Sequence, residues 1–337
     1  MNLGIIGCGY WGPNLIRNFD SLSSVDLKVI CDLDEERLEL MKKDYSYVKI
    51  TKDYNEILED QGIDAVVIAT PVFKHYEIAK KALLSNKHVL IEKPMASTVE
   101  EAKELVRIAQ EKNKILMVDH TFEYSEAINK MKEIIDSGEL GRIFYIRAEW
   151  LNLGLLQPDI NVIWDLAPHI ISIINYTTGL KPLSLTAKAE GYLRKEIPEI
   201  AQVQIKFEKN ISAYLTFGWL EPKKTRTITV VGSKKLLVYD LTNSEEPIKI
   251  YDKSVEMIHD PDIRQPKMNY KYGDTFSPSI KNIEPLKKMC SHFVDSILSN
   301  RKARSSGESG LEVVKVLEAT DKSIQEGGKR ISLGNDW

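Results

Sequence analysis

Strand and helix patterns alternate through the first third of this 337-residue chain, and this alternation restricts its fold more than any other feature. Apolar segments typical of strands lie at residues 3–7, 26–32, 63–70, 88–94 and 114–119, with amphipathic segments typical of helices between them. Runs such as IDAVVIAT (63–70) are apolar almost throughout, which is typical of strands buried on both faces of a parallel sheet. The pattern predicts a doubly wound parallel α/β sheet over residues 1–119.

The pattern changes after about His120. A helix is predicted to end at Gly138, a strand covers 142–154, and a buried helix covers 164–179. Two strand pairs then turn at Lys209–Asn210 and Gly232–Ser233, and consecutive hairpins predict a largely antiparallel sheet. Residues 241–280 are polar and contain prolines, so they are predicted to be loop-rich, and two helices close the chain. Residues 120–337 are therefore predicted to form a second, α+β domain.

Composition excludes several functions. A net charge of -3 provides no basic field for nucleic acid or for an anionic membrane surface. No apolar run reaches the roughly 18 residues that a membrane span needs. The strand pattern at the N-terminus leaves no room for a signal peptide, which favours a cytoplasmic protein. Cys8, Cys31 and Cys290 are odd in number and lack CxxC spacing, so we expect buried apolar residues rather than disulfides or a zinc site.

Three glycines follow the first predicted strand. Gly7, Gly9 and Gly12 form a GxGxxG pattern directly before a helix, as a dinucleotide-binding turn requires. Close backbone approach and the positive end of the helix suit a pyrophosphate. The same motif also occurs as a tight turn that binds nothing.

An acid ends the second predicted strand. Asp32 lies 20 residues after Gly12, at the position where dinucleotide folds carry the acid that binds the ribose hydroxyls. A carboxylate at this point repels a 2′-phosphate, so NAD is favoured over NADP. The alternative is a solvated loop acid, since Asp34, Glu35 and Glu36 follow.

Lys93 comes directly after another strand, within IEKPMA (91–96). Open α/β sheets bind ligands at the carboxyl ends of their strands, although a lysine there is often only solvated. Pro94 restricts the backbone of Lys93, and an X–Pro bond of this kind is compatible with either the cis or the trans form.

Asp165 and His169 are four residues apart and therefore share one face of a predicted helix. A carboxylate beside an imidazole can fix its tautomer and raise its basicity, which suits proton transfer. The alternatives are a helix N-terminal carboxylate, a core histidine, or half of a metal site. No third ligand of suitable spacing is nearby, so no metal is predicted.

Together these residues resemble the Gfo/Idh/MocA family (glucose–fructose oxidoreductase/inositol dehydrogenase). The family motifs correspond to GCGYWG (7–12), TPVFKH (70–75), EKP (92–94) and the Asp165/His169 pair, and the resemblance covers essentially the whole chain. It implies an NAD-binding Rossmann domain followed by a substrate domain. The residues it implies for cofactor binding are Gly7, Gly9, Tyr10, Trp11, Gly12, Asp32, Thr70, Pro71, His75, Glu92 and Lys93. For His75, a simple helix N-terminal role is the alternative.

The resemblance also implies catalytic roles. Lys93 would hold the reacting hydroxyl, His169 would transfer its proton, and Asp165 would orient His169 or bind substrate. The substrate-binding set comprises Lys93, Tyr124, Asn152, Asn161, Trp164, Asp165 and His169, and the four that are not catalytic can equally be structural. Three arginines, Arg147, Arg194 and Arg226, either bind an anion or are solvated.

Within the family, segments such as NVIWDLAPH (161–169) resemble the sugar-nucleotide branch typified by UDP-N-acetylglucosamine-uronate 3-dehydrogenases. Two departures concern acids of the relatives, replaced here by Ile170 and Ser172. The resemblance implies an NAD-dependent dehydrogenase of a nucleotide-linked hexose or hexuronate that assembles as a homodimer or homotetramer. The alternatives are an NAD(P)H-dependent ketosugar reductase, a free sugar or inositol dehydrogenase, and a non-catalytic NAD-binding regulator.

Overall fold

The computed structural model describes residues 1–154, 156–157, 160–258 and 267–334. The chain forms two compact units that are not continuous in sequence. The first unit consists of Met1–Tyr124 and Ile283–Lys315, and the second consists of Ser125–Asn282 and the residues from Val316 onward. The predicted domain ranges, 1–119 and 120–337, stay a prediction.

Six parallel strands form the sheet of the first unit. They are β1 (Asn2–Ile6), β2 (Asp26–Cys31), β3 (Lys49–Thr51), β4 (Ala65–Ile68), β5 (His88–Ile91) and β6 (Leu116–Val118). Their order is β3-β2-β1-β4-β5-β6, which confirms the predicted parallel sheet. Strand side chains that point to either face of the sheet are buried, because helices cover both faces.

The helices are α1 (Gly12–Asp20), α2 (Glu35–Asp44), α3 (Asn55–Glu59), α4 (Val72–Leu84), α5 (Val99–Glu111), α6 (Glu126–Asp136), α7 (Val162–Thr178), α8 (Pro285–Leu298) and α9 (Gly307–Gln325). In the first unit, Phe19 of α1 meets Phe293 of α8 edge to face, with ring centroids 6.2 Å apart. Both rings are fully buried in one cluster with Leu3 and Ile5 of β1. None of the helices in the described part of the chain is both long and apolar enough to cross a membrane.

The second unit contains a nine-stranded mixed sheet. Its strands are β7 (Ile143–Leu153), β8 (Pro182–Glu190), β9 (Ile200–Phe207), β10 (Ser212–Gly218), β11 (Leu220–Gly232), β12 (Leu236–Asp240), β13 (Ile248–Ile258), β14 (Lys267–Phe276) and β15 (Ile331–Ser332). Their order is β14-β13-β12-β11-β7-β10-β9-β8-β15, with β7 and β10 parallel and the other described pairings antiparallel. The prediction of a largely antiparallel sheet is confirmed.

Both predicted hairpin turns are confirmed. Lys209 and Asn210 have φ angles of +57° and +60°, as a tight turn between β9 and β10 requires. Gly232 ends β11 just before the turn into β12. Helix α7 ends at Gly179 in the left-handed conformation, as predicted.

The prediction that residues 241–280 are loop-rich is wrong for 241–258 and 267–280, and its remaining residues, 259–266, lie outside the described part of the chain. The described residues contain β13 and β14, which pair as an antiparallel ribbon. The strands alternate apolar and polar side chains, as in Met268, Tyr270 and Tyr272 against Asn269 and Lys271. The prolines that suggested loops, such as Pro247 and Pro278, lie outside the strands.

The three cysteines are buried and free, as predicted. Burial raises the pKa of the Cys8 and Cys31 thiols to about 12. These thiols are therefore protonated and unreactive at neutral pH.

Candidate active site

The glycine turn after β1 combines two tightly packed glycines with one, Gly9, that leaves room for a Cβ. Gly7 has a φ of +104°, and a Cβ added there would lie 2.4 Å from the Ala69 carbonyl oxygen. A Cβ on Gly12 would lie 2.2 Å from the Gly7 carbonyl oxygen. A Cβ on Gly9, in contrast, would have the Arg37 Nη1 atom, 3.6 Å away, as its nearest described neighbour.

The fold therefore needs glycine at Gly7 and Gly12, whereas the space above Gly9 is available to a ligand. This cradle lies at the N-terminus of α1, where backbone N–H groups favour an anion, so it fits the pyrophosphate of NAD. Tyr10 in the same turn is 90% exposed, and Trp11 is half-buried at the N-cap of α1.

Asp32 is fixed beside this turn. The Cys8 N–H donates to its Oδ2 at 2.5 Å, and the Asp34 N–H donates to its Oδ1 at 2.9 Å. Each carboxylate oxygen keeps a further lone pair that can accept a ribose hydroxyl. This geometry favours the ribose-binding interpretation over a loosely solvated acid.

Lys93 follows β5, and its bond to Pro94 is cis. Buried His75 of α4 faces two carbonyl oxygens, Pro94 at 2.8 Å from Nδ1 and Thr70 at 2.7 Å from Nε2. Both carbonyls can only accept and a neutral imidazole has one N–H, so the ring donates to one of them and lies against the other, between the end of β4 and the segment after Lys93. Burial lowers the pKa of His75, and the contacts with the two carbonyls offset part of this decrease. Thr70 and Pro71, in the segment between β4 and α4, lie at the N-terminus of α4 beside this imidazole.

Two further polar residues, which the sequence reasoning missed, follow β6. Asp119 accepts from Trp11 Nε1 at 3.0 Å, from the Thr121 N–H at 3.1 Å and from the Thr121 hydroxyl. His120 is 1% exposed, and burial lowers the pKa of its imidazole to about 4, so the ring is neutral at pH 7. Their position directly after a parallel strand, like that of Asp32, is the signal that could have identified them.

Glu123 lies in the turn that follows. Burial raises its pKa from 4.5 to about 8, and the charge of Arg304 offsets only part of this shift. Between these pH values the folded chain keeps a proton that the unfolded chain releases, so stability falls as the pH rises from 4.5 to 8.

Glu123→Gln, which is neutral at every pH, removes this dependence. We expect the variant to be more stable than the wild type above pH 8 by on the order of 4 kcal/mol, and about equally stable near pH 4.5. Urea unfolding at both pH values measures the difference. A stability difference that does not change with pH would contradict the assignment.

In the second unit, Asp165 and His169 lie on α7 and are half-buried. The Trp219 Nε1–H donates to Asp165 Oδ2 at 3.1 Å, which fixes the carboxylate. Ile170 is fully buried and Ser172 is 2% exposed, with the Ser172 hydroxyl donating to the His169 carbonyl at 3.0 Å. The positions at which relatives carry acids are thus core positions here.

Asn161 and Trp164 stabilise the start of α7. The Asn161 side-chain oxygen accepts from the N–H groups of Ile163 and Trp164 at 2.9 and 3.1 Å, as an N-cap does. Its amide and the Trp164 indole N–H both donate to Asp321, at 3.3 and 2.6 Å. The two residues orient the helix that carries Asp165, and their substrate-binding role stays a prediction.

Tyr124 is 3% exposed in the first unit, and its hydroxyl shares a hydrogen bond of 3.2 Å with Ser305. Burial raises the pKa of this hydroxyl. These contacts are structural, and a substrate contact of Tyr124 likewise stays a prediction.

The three arginines differ in burial and in hydrogen-bond or ion-pair partners. Arg226 is buried, stacks over the Trp150 ring at 5.1 Å and donates to Asn152 Oδ1 at 2.5 Å. Burial lowers its pKa to about 10, and the charge of Asp165 acts in the opposite direction. Arg194 pairs with buried Glu199 at 3.4 Å, whereas Arg147 lies on the surface. The solvated interpretation therefore holds for Arg147 and is wrong for Arg226.

The glycine cradle on a six-stranded parallel sheet, with a fixed acid after β2, is the arrangement of a dinucleotide-binding Rossmann domain. Residues 1–120 match the family model described as the Gfo/Idh/MocA oxidoreductase family, NAD-binding Rossmann fold, and residues 128–238 match the C-terminal domain model of the same family. The chain belongs to the Gfo/Idh/MocA family, and the resemblance derived from its motifs is confirmed.

Known relatives extend over nearly the whole chain. The scyllo-inositol 2-dehydrogenase (NADP(+)) IolW of Bacillus subtilis is 24% identical over 347 residues, covering 97% of this chain and 94% of the relative. The structure of UDP-N-acetylglucosamine 3-dehydrogenase GnnA from Acidithiobacillus ferrooxidans aligns with a TM-score of 0.81 and 22% identity over 97% of this chain and 98% of that chain. An oxidoreductase from Agrobacterium radiobacter in complex with NAD+, L-tartaric acid and magnesium aligns with a TM-score of 0.84 and 20% identity over 100% and 99%. These similarities confirm the fold.

Proposed function

We propose that this chain is an NAD-dependent dehydrogenase that acts on a ring secondary alcohol of a nucleotide-linked hexose or hexuronate. The observation that carries the proposal is the fixation of Lys93 at the carboxyl end of β5, in the unit that binds NAD. Its N–H donates to Glu92 Oε2 at 3.2 Å, and the carbonyl oxygen of Pro94 lies 2.8 Å from Nδ1 of buried His75. A lysine whose backbone is fixed on both sides is suited to hold one hydroxyl in a defined position.

The roles of the chain's residues follow from their chemistry. NAD, when bound, supplies hydride acceptance and return. The Lys93 ammonium donates to the reacting oxygen and polarises it as a carbonyl forms. The His169 imidazole takes or returns the hydroxyl proton, and the Asp165 carboxylate, fixed by Trp219, orients that imidazole or binds the substrate.

A panel of substrates tests the proposal. UDP-, dTDP- and GDP-linked sugars are compared with free sugars and inositols, and NADH formation is followed by its absorbance. Transfer of deuterium from labelled NADH is measured as well, because an unfavourable equilibrium can hide net oxidation. The similarity to a solved UDP-N-acetylglucosamine 3-dehydrogenase supports the nucleotide-linked class.

A second candidate is a free sugar or inositol dehydrogenase, which the 24% identity to a scyllo-inositol 2-dehydrogenase favours. Turnover of free inositol or glucose, with none on any nucleotide sugar, would replace the first proposal with this one. Reduction of ketosugars only with NADPH would indicate the reductase alternative. Binding of NAD without turnover on the whole panel would indicate a regulator.

The cofactor preference is a further prediction. NAD should bind more tightly than NADP because Asp32 is held beside the glycine turn, where it would face a 2′-phosphate. Isothermal titration with both cofactors measures the preference, and Asp32→Ala should narrow it. Tighter binding of NADP by the wild type would show that Asp32 does not face the 2′ position.

We also propose that the chain assembles as a homodimer or homotetramer in the cytoplasm. The β13–β14 ribbon supports assembly, since paired Val255 and Tyr270 are 49% and 58% exposed, and paired Met257 and Met268 are 52% and 45% exposed. An apolar ribbon face of this kind is costly in water and is stabilised when a second copy covers it. A mass by light scattering equal to the 38.4 kDa of one chain would contradict assembly.

A further inference from the structure

One arginine of the second unit has a buried nitrogen without a hydrogen-bond partner. Arg194 lies in the loop between β8 and β9, and its side chain is 29% exposed. Its Nη2 atom is nevertheless buried and has no acceptor among the described residues. Nη1 donates to the Gln157 carbonyl at 2.5 Å, and its second N–H group can donate to a further acceptor. Because unpaired buried donors are costly, the edge formed by Nη1 and Nη2 is suited to an acceptor from outside the chain.

Glu199, the acid that pairs with Arg194, does not fill this edge. Its buried carboxylate accepts from the N–H groups of Tyr192 and Leu193 at 2.6 and 3.1 Å through Oε2. Its Oε1 accepts from the backbone N–H of Arg194 at 3.1 Å and from Nε at 3.4 Å. Three of the four donors are therefore backbone groups, and the contact with the guanidinium is long and on the Nε side. Glu199 fixes the loop and leaves both Nη atoms to other acceptors.

Arg226 provides a comparison within the same unit. It is 8% exposed, and its Nη1 donates to the carbonyls of Leu151 and Thr225, both at 3.1 Å. Its Nη2 donates to Asn152 Oδ1 at 2.5 Å. The chain thus satisfies both Nη atoms of Arg226, as a structural role requires. Arg194 differs because its buried Nη2 is not satisfied by the chain, and a ligand would supply the missing acceptor.

The guanidinium of Arg194 lies close to a residue of the proposed active site. Its Cζ atom is 5.8 Å from the centroid of the Trp219 ring, and Nε1 of the same indole donates to Asp165 Oδ2 at 3.1 Å. The Trp219 N–H also donates to the Glu199 carbonyl at 3.0 Å, which fixes the loop against this indole. About one indole therefore separates Arg194 from Asp165, and an indole is comparable in width to a sugar ring.

We propose that Arg194 binds an oxyanion of the substrate through its two Nη atoms while the sugar ring lies at Asp165. The oxyanion is the diphosphate of a nucleotide-linked sugar or the carboxylate of a hexuronate, since both accept paired N–H groups of a guanidinium. A neutral free sugar has neither group. The inference rests on the proposed function for the position of the sugar ring, but binding of the oxyanion can be measured without turnover.

Isothermal titration of the purified chain, saturated with NADH so that no alcohol is oxidised, tests the proposal with three ligands. UDP-glucose carries the diphosphate, glucuronate carries the carboxylate, and glucose carries neither. Arg194→Met should weaken the binding of UDP-glucose, of glucuronate or of both at least about tenfold. The ligand whose affinity falls identifies the source of the oxyanion. Affinities for NADH and glucose should stay within a few-fold of the wild type.

Arg147→Met is the matched control. Arg147 is an exposed arginine of the same unit, and its ion pair with Glu149, at 3.7 Å, contributes little. Wild-type affinity for all three ligands is expected. Urea unfolding shows whether each variant is folded. If Arg194→Met does not fold, Arg194→Lys replaces it, because lysine keeps the charge but lacks the paired donors and should still weaken oxyanion binding several-fold.

Three results would overturn the proposal: a wild type that binds neither UDP-glucose nor glucuronate, variants at Arg194 with wild-type affinity for both, or an equal loss of affinity for glucose. The last result would mean that Arg194 only supports the fold. Turnover of nucleotide sugars with unchanged affinities in the variants would refute this inference and leave the proposed function intact. Turnover of free inositol alone would refute the proposed function, whereas binding of UDP-glucose that depends on Arg194 would still establish the oxyanion site.

Discussion

Lys93→Met is expected to lower kcat by about 100- to 10,000-fold while NAD binding stays within a few-fold of the wild type. Methionine keeps an unbranched stem of similar length but removes the ammonium that we propose holds the reacting oxygen. The backbone N–H that donates to Glu92 is unchanged, so the local fold should persist. Steady-state kinetics on the active substrate and isothermal titration with NAD measure the two effects separately.

The matched control is Lys74→Met, at an exposed lysine of the same unit. Its ion pair with Glu77, at 3.4 Å, lies on the surface of α4, where such pairs contribute little. Activity close to that of the wild type is expected. A Lys93→Met enzyme as active as this control would remove Lys93 from the mechanism and with it the proposed function.

His169→Ala is expected to lower kcat within the same range, because the proposed general acid or base is lost. Full activity of this variant would exclude His169 as the group that transfers the proton, whereas the role of Lys93 would be unaffected.

Much of the fold could be predicted because its signals are local. Apolar runs such as 63–70 identify the strands of a parallel sheet, and Gly179 marks the end of α7 through its left-handed conformation. The ribbon of β13 and β14 was missed because charged residues and flanking prolines obscured its alternation. The short strand β3 and the five-residue helix α3 were not predicted, because they contain too few residues for a periodic pattern.

Residues of the candidate site could be predicted only where they belong to a recognisable sequence motif. Gly7 and Asp32 were predicted from their spacing, and Lys93 from its position after a strand and from the EKP motif. The partners that fix such residues come from distant segments, as Trp219 does for Asp165, 54 residues away. No local pattern reports such a contact, because it depends on the tertiary structure. The same reason explains why Asp119, whose indole donor is Trp11, was not singled out.

Substitutions in the glycine turn can distinguish residues that the fold requires from residues that NAD binding requires. Gly7→Ala should destabilise the first unit by on the order of 2–4 kcal/mol, since it combines a φ of +104° with a Cβ only 2.4 Å from a backbone oxygen. Gly138→Ala is the matched control for backbone conformation. Its φ is +72°, and a Cβ there meets no described atom within 4 Å, so it should cost only about 1 kcal/mol.

Gly9→Ala is expected to leave stability nearly unchanged and still weaken NAD binding at least about tenfold. Its Cβ would lie 3.6 Å from the Arg37 Nη1 atom, which is ordinary contact, but it would occupy the space that the pyrophosphate needs. Urea unfolding and isothermal titration with NAD, applied to Gly7→Ala, Gly9→Ala and Gly138→Ala, separate the two effects. Wild-type affinity in a stable Gly9→Ala variant would mean that the pyrophosphate does not approach this glycine. A Gly9→Ala variant as unstable as Gly7→Ala would instead mean that the fold itself requires glycine at position 9, and the cradle would then be no evidence for a bound dinucleotide.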